Sequence, residues 1–315
     1  MDHSGSHCEH DDHGHEHHHH HGHMHARPGT WQLWVLTGLS AAYMVAEVVG
    51  GLISGSLALL ADAGHMAVDV GAILLSLFAI WIARRPPSPD KTYGYYRAEI
   101  LAALVNGAAL FVVSIGIFYE AFDRFYHPHV IQGGIMALVS TGGLAVNLIG
   151  MAMVHQTSRH NLNLRSVWLH LFTDALGSVA SLVAAGLVIK FGWTMADPII
   201  SILIGVFILY GGYNLLSDCV NVLLEGVPKG IDIVAVRRAM EAYHGVAEVH
   251  DLHIWTVTSG VVALSAHVRL VEDADHGAVL ETVIELLKND FHIEHVTLQL
   301  EPAHFTHGDN VHLHA

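Results

Sequence analysis

Two copies of one spacing, His-x-x-x-Asp, lie inside two separate apolar segments of this 315-residue chain. His65 and Asp69 fall in ALLADAGHMAVDVGAILLSLFAIWIA, and His170 and Asp174 fall in SVWLHLFTDALGSVASLVAAGLVI. On a helix, a spacing of four puts both side chains of a pair on one face, one turn apart. Ionisable groups so deep in apolar sequence are costly and need a reason. One such histidine could be a hydrogen-bonded residue at a helix contact. Two matched pairs, each in mid-segment, argue against that. A proton relay could use the same groups but does not require the match. Two imidazoles and two carboxylates make a complete tetrahedral set for zinc. The pattern implies a carrier of Zn²⁺ or a similar ion. A hydrolytic metal centre would keep a ligand position open and add a general base. Four ligands would close the site, and the HExxH match in the chain, His15 to His19, lies in the His-rich tail and not in an apolar segment.

Such a site needs long apolar helices to hold it. The chain is 52% apolar and only 14% charged, with mean hydropathy +0.43. Those values fit a helical membrane protein with a soluble portion. Six apolar stretches reach the roughly 20 residues that span a bilayer. They run over 31–53, 57–83, 98–122, 131–154, 164–190 and 197–219. Breaks fall at RRPPSPD (84–90), HPHV (127–130) and GWTMADP (192–198). An even number of spans returns the chain to its starting side. Arg27, Arg84, Arg85, Lys91, Arg97, Arg159 and Arg165 share one side, against Arg124 and Lys190 on the other. That bias predicts both termini in the cytoplasm. Glu47, Asp62 and Asn147 are further polar groups within the spans, read as pathway or supporting groups or as helix-packing residues.

After the last span the pattern changes. IDIVAVRRAMEAYH predicts a helix, VHDLHIWTVTSG and VVALSAHVRLV two strands, HGAVLETVIELLKNDF a helix and EHVTLQLEP a third strand. That order fits a small α+β domain with its helices on one sheet face. The predicted organisation is a His-rich tail (1–30), a six-helix transmembrane domain (31–220), a cytoplasmic domain (221–303) and a short His-containing tail (304–315). The formal charge of −15 carries no basic stripe, so nucleic acid is not an expected partner. Cys8 and Cys219 make no disulfide framework. The polar N-terminus does not read as a cleavable signal peptide.

Taken together, GSLALLADAGHMAVD, YGYYRAEILAALVNG, LHLFTDALGSV, NVLLEGVP and VHDLHIW resemble the cation diffusion facilitator family, and within it the bacterial zinc exporters. The resemblance covers about residues 30–302. It implies a homodimer of six-helix units in the bacterial inner membrane, each with a cytoplasmic ferredoxin-like domain. It also implies export of metal from the cytoplasm in exchange for protons. The family's transport site maps onto His65, Asp69, His170 and Asp174. Histidine in the first position resembles the zinc-preferring members, and aspartate there the wider-specificity ones. Imidazole nitrogens do suit borderline Zn²⁺ better than all-oxygen sets, which suit Mg²⁺ or Mn²⁺. Zinc binds neutral imidazole, whose unperturbed pKa is about 6.5, so metal entry releases protons.

The family's loop site would fall on Ser88, Lys91 and Tyr95, which make no ligand set, so that site is expected to be absent. A family charge interlock between spans and domain maps onto Arg97 and Glu225. The family's regulatory zinc site in the domain maps onto His250, His267, His276 and Glu301. Gln299 stands where some members have a ligating histidine, which argues against a full binuclear site. Strict strand alternation would put Asp251 and His253 on one face and His250 on the other.

Twelve of the 29 histidines lie in residues 1–25, among Asp, Glu and Gly. That composition can chelate zinc weakly but lacks the apolar residues to fold. Two other functions use similar parts: an intramembrane zinc metalloenzyme and a membrane-anchored metal sensor. Metal-dependent proton flux in sealed vesicles separates a carrier from both. Deleting residues 1–25 is expected to leave zinc flux in such vesicles measurable, with at most a modest change in apparent affinity.

Overall fold

The computed structural model describes residues 30–158 and 162–305. Most of both His-rich tails, with Arg27, and Arg159 lie outside the described residues. Six long helices come first: α1 (Thr30–Ser54), α2 (Leu57–Ala83), α3 (Ala98–Tyr126), α4 (Gly133–Ser158), α5 (Leu162–Phe191) and α6 (Ala196–Leu223). Each contains an apolar stretch long enough to cross a bilayer. They match the six apolar stretches, with α3, α4 and α6 running a few residues further. Polar residues such as Asp123 and Arg124 continue the helix past the apolar run.

In the bilayer, helices associate through close packing of small residues. Between α3 and α6 the backbones themselves meet. A Cβ on Gly107 would stand 2.9 Å from Leu216, and one on Gly212 would stand 3.4 Å from the Gly107 carbonyl. Helix α4 packs along α5, and α2 lies between α1, α3 and α6. By contrast α2 and α5, which carry the two His/Asp pairs, touch each other only lightly.

One buried carboxylate ties three helices together at the end of the bundle away from the C-terminal domain. Asp197, in the first turn of α6, is fully buried. Its Oδ1 accepts from Ser56 Oγ at 2.6 Å and from Ala58 N at 3.2 Å. Its Oδ2 accepts from Leu57 N at 2.7 Å. These are the free N–H groups that begin α2, so a residue of α6 caps another helix. Arg124 of α3 completes the cluster. Its Nη1 lies 3.4 Å from Asp197 Oδ2 and donates to the Gly55 carbonyl at 2.5 Å. Gly55 sits at φ +70, and a Cβ there would stand 2.9 Å from the Val130 carbonyl. The tight α1–α2 turn therefore needs glycine at that point.

The C-terminal domain follows the expected order: α7 (Ile233–Glu241), β1 (Val246–Thr258), β2 (Val261–Leu270), α8 (His276–Phe291) and β3 (His295–Glu301). Strand β2 is central, antiparallel to β1 and parallel to β3. Both helices pack on one sheet face, through Val236 and Met240 of α7 and Val279, Val283 and Leu287 of α8. Among the described residues, contacts that join the domain to the helices include the Lys229–Asp218 ion pair and two hydrogen bonds. Arg97 Nη2 donates to Glu225 Oε1 at 2.7 Å, and Thr258 Oγ1 donates to Glu99 Oε2 at 2.9 Å. Glu225 itself turns the chain out of α6 at φ 59.

Replacing Asp197 with Ala leaves the first N–H groups of α2 without their acceptor and takes one carboxylate from Arg124, which keeps Glu120 and the Gly55 carbonyl. Leaving those buried N–H groups unpaired is expected to cost about 1–3 kcal/mol each. Asp197→Asn, which keeps one acceptor oxygen, should cost clearly less. Thermal unfolding of the detergent-purified variants checks both values.

Candidate metal centre

Helix α2 enters at its capped end, and His65 and Asp69 lie on its third and fourth turns. Helix α5 runs the opposite way and brings His170 and Asp174 to the same depth. The side chains cross the gap between the helices. Asp69 Oδ2 stands 3.5 Å from His65 Nε2 and 3.6 Å from His170 Nε2. Asp174 Oδ2 stands 3.5 Å from His170 Nε2. The imidazole rings meet edge to face, with centroids 6.1 Å apart. Donor atoms of His65, His170 and Asp174 all lie within 4.8 Å of one another. Asp69 is outside that mutual set but stands beside both imidazoles, so the two pairs face one another across the gap.

The environment of the set is uneven. Asp174 is 8% exposed and His170 is 49% exposed. On the side away from the domain, Asp62 approaches the set from α2. It is buried and lies over Gly177, where a Cβ would stand 3.5 Å from Asp62 Oδ1. Ordinary acid–base chemistry would need a substrate cleft beside these groups. Here a cavity of about 180 Å³ lies beside Asp62, His65 and Asp174, walled largely by apolar side chains of α6 such as Leu203 and Phe207.

A second cluster lies in the domain. His267 Nδ1 stands 3.0 Å from Glu301 Oε1, and His250 Nε2 stands 3.3 Å from Glu301 Oε2. The donor atoms of these three residues also lie within 4.8 Å of one another. His276 begins α8, is exposed, and is not part of this trio. Gln299 Nε2 donates to Glu301 Oε1 at 3.0 Å, so Gln299 orients a carboxylate of the cluster.

The strand geometry differs from strict alternation. The β1–β2 register shifts between His250 and His253, and Asp251 sits at φ 49. Alternation would put His250 with Leu252 and Ile254, facing the core. The bulge turns it to the opposite face, across from His267. Asp251 then joins the same surface, with Oδ1 3.0 Å from His253 Nε2 and Oδ2 3.7 Å from His267 Nε2. The hydrogen bond with His253 holds the Asp251 carboxyl below the usual carboxylate range, and the nearby His267 and His250 add to the effect. No sequence signal marked this bulge. The Asp197 cluster was equally hidden, since GWTMADP reads only as a break between spans.

In the loop between α2 and α3, Ser88 and Lys91 pair through their backbones, and Lys91 Nζ lies 4.7 Å from the Tyr95 ring centroid.

Comparison with known proteins agrees with this architecture. Residues 33–224 match the model of the cation efflux transmembrane domain, and residues 228–303 that of the cation efflux protein cytoplasmic domain. The zinc transporter ZitB of Escherichia coli is 43% identical over 280 residues, covering 88% of each chain. CzcD, a metal cation efflux system protein of Cupriavidus metallidurans, is 42% identical over 285 residues, covering 89% of each. A cadmium, cobalt and zinc/H(+)-K(+) antiporter of Bacillus subtilis is 40% identical over 274 residues, covering 85% of this chain and 88% of the relative. With both of its domains matched in order, the chain belongs to the cation diffusion facilitator, or cation efflux, family: it is a multi-pass membrane transporter of metal cations and not an enzyme.

Proposed function

We propose that the chain exports Zn²⁺ from the cytoplasm in exchange for protons, and that His65, Asp69, His170 and Asp174 hold the ion in transit. One observation carries this reading. Two His/Asp pairs from separate helices bring two nitrogens and two carboxylates to one point inside an apolar bundle. Zinc takes such a set in tetrahedral geometry. The light packing between α2 and α5 supports a carrier, because ligands on two weakly joined helices can separate to release their ion. Proton exchange follows from the donors. Imidazoles and carboxylates freed of metal take up protons, and metal entry displaces them. The names of the relatives, a zinc transporter and a cadmium, cobalt and zinc antiporter, agree with this cargo and coupling.

The arrangement of charges supports a cytoplasmic domain and cytoplasmic termini. The match to a family's cytoplasmic dimerisation domain supports a homodimer. In that setting the Arg97–Glu225 pair would interlock the spans with the domain. His250, His267 and Glu301 would hold a regulatory zinc ion, with His276 an additional candidate ligand.

Asp69→Ala and His170→Ala are each expected to abolish zinc uptake into inverted vesicles while the purified protein keeps its oligomeric state. Full uptake by either variant would remove the four residues from the transport path.

His65→Asp replaces a nitrogen with oxygen donors and adds a negative charge to the empty site. Oxygen donors relax the preference for borderline metals. Three close carboxylates also resist full ionisation, so the set holds protons differently. This variant is expected to keep zinc transport, to gain Cd²⁺ flux relative to Zn²⁺, and to shift the pH optimum. Parallel Zn²⁺ and Cd²⁺ fluxes across a pH series measure it. An unchanged ratio would assign selectivity to helix packing around the site.

A further inference from the structure

Glu47 lies in the interior of α1 and is fully buried. Both of its carboxylate oxygens are buried and neither makes a well-formed hydrogen bond, the nearest polar groups being at the edge of reach. Two polar side chains face it: Tyr43, one turn earlier on α1, and Asp62 on α2. The Tyr43 hydroxyl already donates to the Val139 carbonyl at 3.1 Å. Asp62 is 5% exposed. The other charged side chains acting on the two acids are Asp69, Asp174 and His65, and none of these is a fixed cation. Two facing carboxylates in a bilayer interior cannot both stay ionised without a shared positive charge.

The pair is also connected to the transport site. Asp62 precedes His65 by three residues, about one helical turn, on the side toward the α1–α2 turn and away from the domain. The cavity of about 180 Å³ is bounded by Asp62 together with His65 and Asp174. An ion leaving the four-residue set in that direction meets Asp62 next, and Asp62 in turn faces Glu47, which lies outside the cavity wall.

We propose that Asp62 and Glu47 form a second cation station, which takes the transported divalent ion as it leaves the His65/Asp69/His170/Asp174 set on the side away from the domain. The inference rests on that set being the transport site. Oxygen-only donors hold a borderline ion more weakly than imidazole does. Two divalent ions one turn apart repel, so the stations are occupied alternately. Those properties suit a release step.

The test is anomalous diffraction from crystals of the full-length protein soaked in Cd²⁺. With the main set broken by Asp69→Ala and His170→Ala, an anomalous peak is expected between Asp62 and Glu47. Adding Glu47→Gln should remove it. The His250/His267/Glu301 cluster serves as the internal control for cadmium loading. A filled control with no peak at Asp62 would overturn the proposal, because the pair would then hold only a proton. In the otherwise unaltered protein, Glu47→Gln should lower zinc turnover by about tenfold or more, with the half-saturating zinc on the domain side changed by less than about threefold. Glu47→Asp, which keeps the carboxylate, should recover part of the turnover. Unchanged turnover in Glu47→Gln would also overturn the proposal. Absence of cadmium from the four-residue set in the unaltered protein would instead overturn the transport-site reading.

Discussion

A charged or strongly polar group carried into a bilayer must find its partner there, because water is not available to solvate it. This requirement organises the six-helix domain. Asp197 meets it with three donors at the start of α2 and with the Arg124 guanidinium. The result is structural, since every strong acceptor position is filled and the helix ends are pinned. At the His65/Asp69/His170/Asp174 set the same requirement is left open. Acceptors and nitrogens face each other at 3.5–3.6 Å, close enough to share an ion and too loose to satisfy one another fully. Whether a buried polar cluster is complete or incomplete thus distinguishes the Asp197 scaffold from the proposed transport site.

The distribution of packing reinforces that division. Where backbones meet, as at Gly107 and Gly212, α3 and α6 are joined closely. The helix carrying the first His/Asp pair is fixed at one end to this pair of helices through Asp197. Its contact with the helix carrying the second pair is slight. The two His/Asp pairs therefore sit on helices whose main neighbours differ, α3 for α2 and α4 for α5, while Ala58 and Leu59 of α2 share a buried core with Ala184, Ala185 and Val188 of α5.

The C-terminal domain solves a related problem with a different device. A regular strand would send His250 into the apolar core, where an imidazole beside Leu252 and Ile254 would lack partners. The bulge at Asp251 turns His250 toward His267 and Glu301 and gathers Asp251 and His253 on the same surface. The non-glycine residue at positive φ costs some backbone energy, of order 1–3 kcal/mol, which the surrounding strand pairing sustains. Arg97–Glu225 and Thr258–Glu99 then join this domain to the ends of α3 and α6.

Much of this was readable before folding. Apolar runs of bilayer length determine the six helices, because a backbone in lipid must satisfy its hydrogen bonds within the segment. The i, i+4 spacing of His65/Asp69 and of His170/Asp174 puts each pair on one helix face whatever the surroundings, so the ligand types were legible from local geometry alone. The alternation of apolar residues likewise determines the order of helices and strands in the C-terminal domain. Other features depend on contacts between residues far apart in the chain. Asp197 caps a helix that starts 140 residues earlier, as its bond to Leu57 N records. Glu47 and Asp62 face each other only because α1 and α2 pack side by side. The face on which His250 lies was decided by a one-residue slip in strand pairing, and period-two alternation carries no record of such a slip. Local spacing thus determined which groups could bind metal. Only the tertiary packing decided which of them meet, because that meeting is set by the distances between helices and by the register between strands.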